Sequence, residues 1–388
     1  MYKMEKQAKH IDENYRVSED AFVANINNRR LFFLISLTIL GFGIFSVTDT
    51  AVEYGKTGAW AVILLSCLYA LPGLTVCVYL SRKNGGISYV DALYGIYWKP
   101  LAKIFTAAYL IYYMYLFCVF TGSVSFAIFR LLLPKTDTLV IAAFLILAAA
   151  LAAGGLKSSL GAVFELLGVL VFALFFILFF AMLFFGNILN TLPLFEVQCL
   201  PDYVAGTYNG NAFYFLAASV ICVIPLADTM GKKAFGTVVF AALSSSVLMV
   251  FLTMASVMIS GVNVASIYKD DLFYSLRQID IPFLNFVEQF DILFMIAWLF
   301  CIFCVLQILF YSAVYCARLL CPGLKGNIAP SALILAAICA FVFVIVNFNI
   351  SEPLLSDIAF YFGMITFFVL PLVSTVVHLI KRNGHNEG

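Results

Sequence analysis

The sequence predicts an all-α, polytopic integral membrane protein of ten transmembrane helices, built as two inverted five-helix repeats in which helices one and six are broken. Three observations carry this. The residues are 64% hydrophobic and only 11% charged, with 40 phenylalanines and a mean hydropathy of +1.04, whereas roughly a quarter of a soluble domain is charged. The apolar runs each approach or exceed the roughly 20 residues that cross about 30 Å of hydrocarbon. Helix-breaking residues interrupt the first and the sixth run, the positions that correspond in two inverted halves with a site between them at the membrane midplane. A formal charge of +1, without a basic patch interleaved with aromatics, argues against nucleic acid as a partner.

Residues 1–30 are polar and mixed in charge, with Glu5, Asp12, Glu13, Glu19 and Asp20 against Lys3, Lys6, Lys9 and Arg16. They lack the apolar stretch of a signal peptide and are expected to form a disordered cytoplasmic tail. A membrane domain follows over 31–382, then a short cytoplasmic tail over 383–388. The spans fall at about 31–50, 58–80, 101–133, 138–155, 160–186, 211–230, 234–262, 285–319, 328–349 and 354–380. Arg29, Arg30, Arg82, Lys83, Lys99, Lys103, Lys157, Lys232, Lys233, Arg318, Lys325, Lys381 and Arg382 then share one side, and only Lys56, Arg130, Lys135, Lys269 and Arg277 the other. Basic residues resist translocation, so both termini are expected to be cytoplasmic.

The first span, LFFLISLTILGFGIFSVTDT, contains Gly41-Phe42-Gly43 near its middle. Two glycines weaken a helix, and backbone opened at this depth is tolerated where it lines a cavity, so Gly41, Phe42, Gly43 and Ile44 are candidates to hold a ligand. The alternative is a small-residue seam that lets a neighbouring helix pack close.

Between spans two and three, Val90, Leu93, Tyr94 and Tyr97 repeat at i, i+3, i+4 and i+7, the pattern of a short interfacial helix. Span three carries Tyr109, Tyr112 and Tyr113 on one face, read either as an interfacial belt or as the wall of an aromatic pocket. Glu165, near Lys157, either snorkels to the cytoplasm or acts as a buried functional carboxylate.

In span six, Pro225 removes one helical hydrogen bond and frees carbonyls toward Ser219 and Val220. Half-helix ends at the two breaks would receive the carboxylate and ammonium of a zwitterionic amino acid. The polar connection from Ile267 to Pro282 could form an outer lid or an ordinary connector. At the outer start of span eight, Glu288 and Asp291 share a face at i and i+3. They cap the helix in one reading and, with Glu165, serve gating or coupling in the other.

No enzyme motif occurs, and no cofactor or metal is expected. Cys301 and Cys304 have CxxC spacing but sit among apolar neighbours with no histidine near, so they read as small packing residues. Cys199 alone lies in an outer loop, which leaves no disulfide framework.

The glycine-interrupted opening span, Gly58-Ala59-Trp60 at the start of the second, Pro225 in the sixth and the acid seven residues before Trp298 together resemble the spore germination permease family. These are the B subunits of germinant receptors, within the amino acid/polyamine/organocation transporter superfamily, and the similarity spans about Arg29 to Lys381. The resemblance implies recognition of a small germinant, typically an amino acid, in the spore inner membrane, with A and C subunits as partners. Three positions depart from the pattern. Gln289-Phe290-Asp291 replaces the usual Arg-x-Glu, no proline follows the glycines before Ser46 and Val47, and no glutamate lies near Ser219. The runner-up function is a secondary amino acid transporter coupled to protons or sodium.

Overall fold

The computed structural model describes residues 27–155, 160–195, 199–224, 226, 233–267, 271–279, 290–321, 332, 334–340, 342–343, 358 and 361–384. Every regular element among them is helical. Six helical stretches among the described residues are long and apolar enough to cross a membrane by length and composition.

Helix α1 runs from Asn28 to Gly55, 28 residues without interruption, and is capped by Asn27, whose side chain accepts from Arg30 N at 2.9 Å. The expected break at Gly41-Phe42-Gly43 is therefore corrected. A glycine costs a helix about 1 kcal/mol, whereas an unpaired main-chain group in hydrocarbon costs several, so the helix stays closed unless something replaces its bonds. The glycines serve packing instead. A Cβ on Gly41 would sit 2.6 Å from Val305 Cγ2 and 3.1 Å from the Cys301 carbonyl oxygen, and one on Gly43 2.8 Å from Met249 Sδ.

A 3₁₀ turn, Lys56–Gly58, leads into α2 (Ala59–Lys83), which continues through Pro72. The expected interfacial helix is α3 (Tyr89–Ile96), N-capped by Ser88 and burying Tyr89, Val90, Leu93 and Ile96. Next come α4 (Lys99–Leu131), α5 (Thr138–Gly155) and α6 (Leu160–Phe185).

Helix α7 spans Leu200–Val223, starting well before the expected boundary at 211. Its polar first turns are held by close contacts at glycine, Gly206 against Tyr54 and Gly210 against the Ser66 hydroxyl. Packing thus overrides weak intrinsic propensity. Helix α8 (Lys233–Ser260) follows, then a short helix α9 (Asp271–Arg277) in the expected lid segment, and α10 (Phe290–Leu320). Helical turns lie at 334–340. A π-helical segment, Ile365–Val369, runs directly into α11 (Leu370–Gly384).

Helix α1 is the axis of the bundle, packed against α2, α6, α7, α8 and α10. Helix α10 is the second buried post and lies between α1, α4, α5 and α6. Hydroxyls inside these helices are mostly satisfied by their own chain four residues back. Thr38 donates to Leu34 O at 2.8 Å, Thr121 to Phe117 O at 2.6 Å, Thr253 to Met249 O at 2.8 Å and Ser312 to Ile308 O at 2.7 Å. That pattern suits a lipid setting, where no water would take the proton.

Candidate ligand site

Two serines break the pattern of self-satisfied hydroxyls. Ser36 on α1 and Ser245 on α8 are fully buried, and neither Oγ has a hydrogen-bond partner among the described residues. Ser36 shares the stripe of Gly43 at i+7, and Ser245 precedes Met249, which faces Gly43, by one turn. Both therefore sit on the seam between α1 and α8. A buried polar group left unpaired costs about 1–3 kcal/mol and calls for an explanation such as a water or ligand.

The end of α7 adds acceptors at the same depth. Helices α1 and α7 run in opposite directions and touch at Tyr54 and Gly206. Counting equally down both helices at about 1.5 Å per residue brings Val223 level with about Leu37, roughly one turn inward of Gly41. Helix α7 stops there, at Val223, and the last four carbonyls of a helix have no partner within it. Val220 is among those last residues. The backbone of Ser219 and Val220 is helical, and Pro225 lies outside the described residues, as do the side chains of Ser219 and Val220. The sixth-span interruption is thus seen as a helix end before the proline, while the first-span one is closed.

Phe42 packs on Phe120 with ring centroids 4.4 Å apart, and the Ile44 carbonyl accepts from the Thr48 hydroxyl. Tyr109, Tyr112 and Tyr113 are all buried, which corrects the belt reading: their face turns into the bundle and onto Phe367 of the π segment, 6.0 Å from the Tyr113 ring. The Tyr109 hydroxyl donates to the Thr366 carbonyl within that segment. A π turn widens the helix and re-aims its carbonyls, and here a phenol takes one.

Two of the acids singled out as gating candidates lie at opposite ends of the bundle. Glu165 on α6 bridges Arg29 (3.0 Å) and Arg30 (3.2 Å) at the start of α1, so it is ion-paired at the N-terminal end of that helix rather than at depth. Exchange to Gln should lower stability by under about 1 kcal/mol, and the difference should vanish in 1 M salt, as thermal unfolding at two ionic strengths would read. At the opposite end of the bundle Asp291 accepts from Arg277 Nε of α9 at 3.0 Å, tying the lid segment to α10. Glu288 lies outside the described residues.

A further buried carboxylate, on the short helix α3, carries no motif in the sequence. Asp91 of α3 accepts from Ser88 Oγ at 2.7 Å and from the Tyr315 hydroxyl of α10. Burial pushes its carboxyl up from the usual range, while the two hydroxyls pull it down. The interfacial helix is thereby pinned to the bundle, and Lys381 Nζ donating to Ile96 O at 2.5 Å pins its other end. Tyr315→Phe should cost about 1–3 kcal/mol. Because the phenol favours the charged carboxylate, the loss should be larger at pH 8 than at pH 5 in urea titrations of the purified chain.

A family model described as spore germination protein matches residues 25–353. The chain belongs to this family. Membership accords with the resemblance read from the glycines, Pro225 and Asp291. Among solved structures, a Na+-coupled sialic acid symporter in a substrate-bound, outward-open state superposes with a TM-score of 0.64 at 11% identity, over 94% of this chain and 82% of the symporter. A mutant of the Eremococcus coleocola manganese transporter gives 0.53 at 14% identity, over 93% of this chain and 80% of that one. The same transporter with an aromatic bis-isothiourea compound gives 0.53 at 15%, over 88% and 78%. At these identities the likeness is one of fold. No curated protein matches the sequence.

Within this spore germination family member, Ser36 and Ser245 escaped sequence reasoning because serine is common in membrane helices and usually bonds its own backbone. The triplet Ser244-Ser245-Ser246 was the available signal: Ser246 reaches Tyr214 at 2.8 Å, Ser244 bonds Ala241 O at 3.1 Å, and Ser245 is left over. Gln307 on α10 is likewise buried with both amide atoms unpaired. It shares a stripe with Phe310, which meets Phe117 of α4, and so lies away from the α1 seam.

Proposed function

We propose that this chain is the membrane subunit of a spore germinant receptor, which recognises a small zwitterionic solute such as an amino acid at the centre of the bundle and signals with A and C subunits. The arrangement is ten spans in two inverted five-helix sets, held in the spore inner membrane with both termini cytoplasmic and the first 30 residues forming a polar tail. The observation that supports the reading is the end of α7 at Val223, about level with Leu37 by residue count, together with two buried hydroxyls on α1 and α8 that have no partner among the described residues. Carbonyls at Val220 and beyond, before Pro225, accept the ammonium. The hydroxyls of Ser36 and Ser245 donate to the carboxylate, and Ser219, Tyr113 and the surface from Gly41 through Phe42 and Gly43 to Ile44 shape the remaining wall.

Since α1 is closed, Gly41–Ile44 supply shape rather than free main-chain groups. The solute shifts the bundle between two arrangements only by its difference in affinity for them. The paired acids Glu165 and Asp291, with Glu288 nearby in sequence, are the contacts remade at the inner and outer faces.

The transporter neighbours favour one other reading, a secondary amino acid transporter coupled to protons or sodium. Proteoliposomes holding this chain alone separate the two. Saturable binding of a radiolabelled neutral amino acid without accumulation supports the receptor, concentrative uptake supports the transporter, and neither binding nor uptake removes both.

A further inference from the structure

The outer end of the bundle holds a carboxylate that none of the preceding roles uses. Asp271 opens α9 and is only 4% exposed. It faces Ser256 and Ser260, one turn apart at the end of α8, and Ser275, one turn along its own helix. Its Oδ2 accepts from Ser256 Oγ and, at 3.4 Å, from Ser275 Oγ. Ser275 Oγ lies 2.8 Å from Ser256 Oγ, 2.5 Å from Ser260 Oγ and 3.4 Å from the Ser256 carbonyl oxygen. Oδ1 has no hydrogen-bond partner among the described residues.

No basic side chain among the described residues pairs with this carboxylate. Helix α9 packs on α8 and α10. Among the described residues α8 brings no charge to this end, and the acid of α10, Asp291, is already joined to Arg277. An isolated carboxylate out of water is costly and is neutralised by a proton or by a cation. Burial pushes the Asp271 carboxyl up, against the pull of the three hydroxyls.

We propose that Asp271, Ser256, Ser260 and Ser275 form a site for one monovalent alkali cation, taken up from the outer face in exchange for the carboxyl proton. The ligand set is all oxygen, as hard cations require. It holds a single carboxylate, which balances one positive charge and falls short of the several carboxylates typical of a calcium site. The open Oδ1 is the first ligand, and the serine hydroxyls turn from one another to the ion. The exchange balances in charge, one cation in and one proton out.

A route exists. Ser260 also lines a cavity of about 490 Å³ between the outer ends of α1, α7 and α8. Lys56 lines the same cavity and opposes a cation there, an effect that salt screens over about 8 Å at physiological strength. Because α9 rests on α8 through these side chains, occupancy fastens the lid segment to the bundle.

The test needs no organic solute, so its failure leaves the germinant reading untouched. Thermal unfolding of the full chain in detergent is compared in sodium chloride and in choline chloride at equal ionic strength and pH 8. The melting temperature should rise with sodium and saturate, and the apparent sodium affinity should fall about tenfold per pH unit below the carboxyl's pKa, since one proton competes with one ion. In Asp271→Asn the sodium response should disappear, and in Ser260→Ala it should weaken severalfold. A wild type indifferent to sodium, or a folded Asp271→Asn with the full response, overturns the proposal. Should Asp271→Asn fail to fold, an unchanged response in both Ser260→Ala and Ser275→Ala overturns it equally.

Discussion

Gly41→Leu is expected to abolish folding, and Gly41→Ala to lower stability by about 1–3 kcal/mol, the usual cost of overpacking. The added Cβ would meet Val305 Cγ2 at 2.6 Å and the Cys301 main chain at 3.1 Å. Valine is stiff at χ1, and a helix carbonyl in α10 cannot step aside without moving the post on which the bundle rests. Gly43→Ala separates packing from mere loss of glycine. Its Cβ would meet Met249 Sδ at 2.8 Å and Cε at 2.9 Å, the far end of an adaptable side chain. The roughly 1 kcal/mol of helix propensity gained from alanine then offsets the contact. Melting temperatures in detergent should rank Gly43→Ala near wild type and Gly41→Ala clearly below. Adding Val305→Ala to Gly41→Ala should restore part of the loss. Equal losses at the two glycines would show that close approach to α10 is not what Gly41 provides.

Ser245→Ala and Ser36→Ala should each weaken the response to solute about tenfold or more while leaving stability unchanged or slightly raised. The two effects have opposite signs for one reason. In the empty protein these hydroxyls are buried without partners, so deleting them removes a desolvation cost. With solute bound each supplies a hydrogen bond to a charged group, worth about 1.5–3 kcal/mol. Amino acid binding to the purified chain and its thermal unfolding, run on the same preparations, read both quantities. Ser246→Ala is the control: its hydroxyl is engaged with Tyr214, so it should lose stability and retain binding. A serine pair whose removal destabilises the bundle and spares binding would place the site elsewhere.

Much of the architecture was legible from composition and run length. The expected spans 58–80, 138–155, 160–186 and 234–262 lie within about three residues of helices α2, α5, α6 and α8, because hydrocarbon thickness sets the length of an apolar helix. The interfacial helix was readable from the spacing of Val90 and Leu93, since one face had to be apolar. The start of α7 was not, because LPDYVAGTYNG is too polar to be taken for a span and is ordered by glycine contacts with α1 and α2.

By itself the sequence determined the solvent of this protein, the lengths of several of its helices and its family. Those depend on sums over many residues, each contributing in the same sense. The tertiary structure decided what single residues do. Whether Gly41 opens a helix or seats one depends on Val305 and Cys301 across the seam. Whether the tyrosines of α4 meet lipid headgroups or Phe367 depends on where the π segment lies. Whether Asp271 stands in water or among serines depends on how α9 comes down on α8. A glycine, a phenol and a carboxylate each have two low-energy uses in a membrane, and only the neighbour brought against them by the fold selects one.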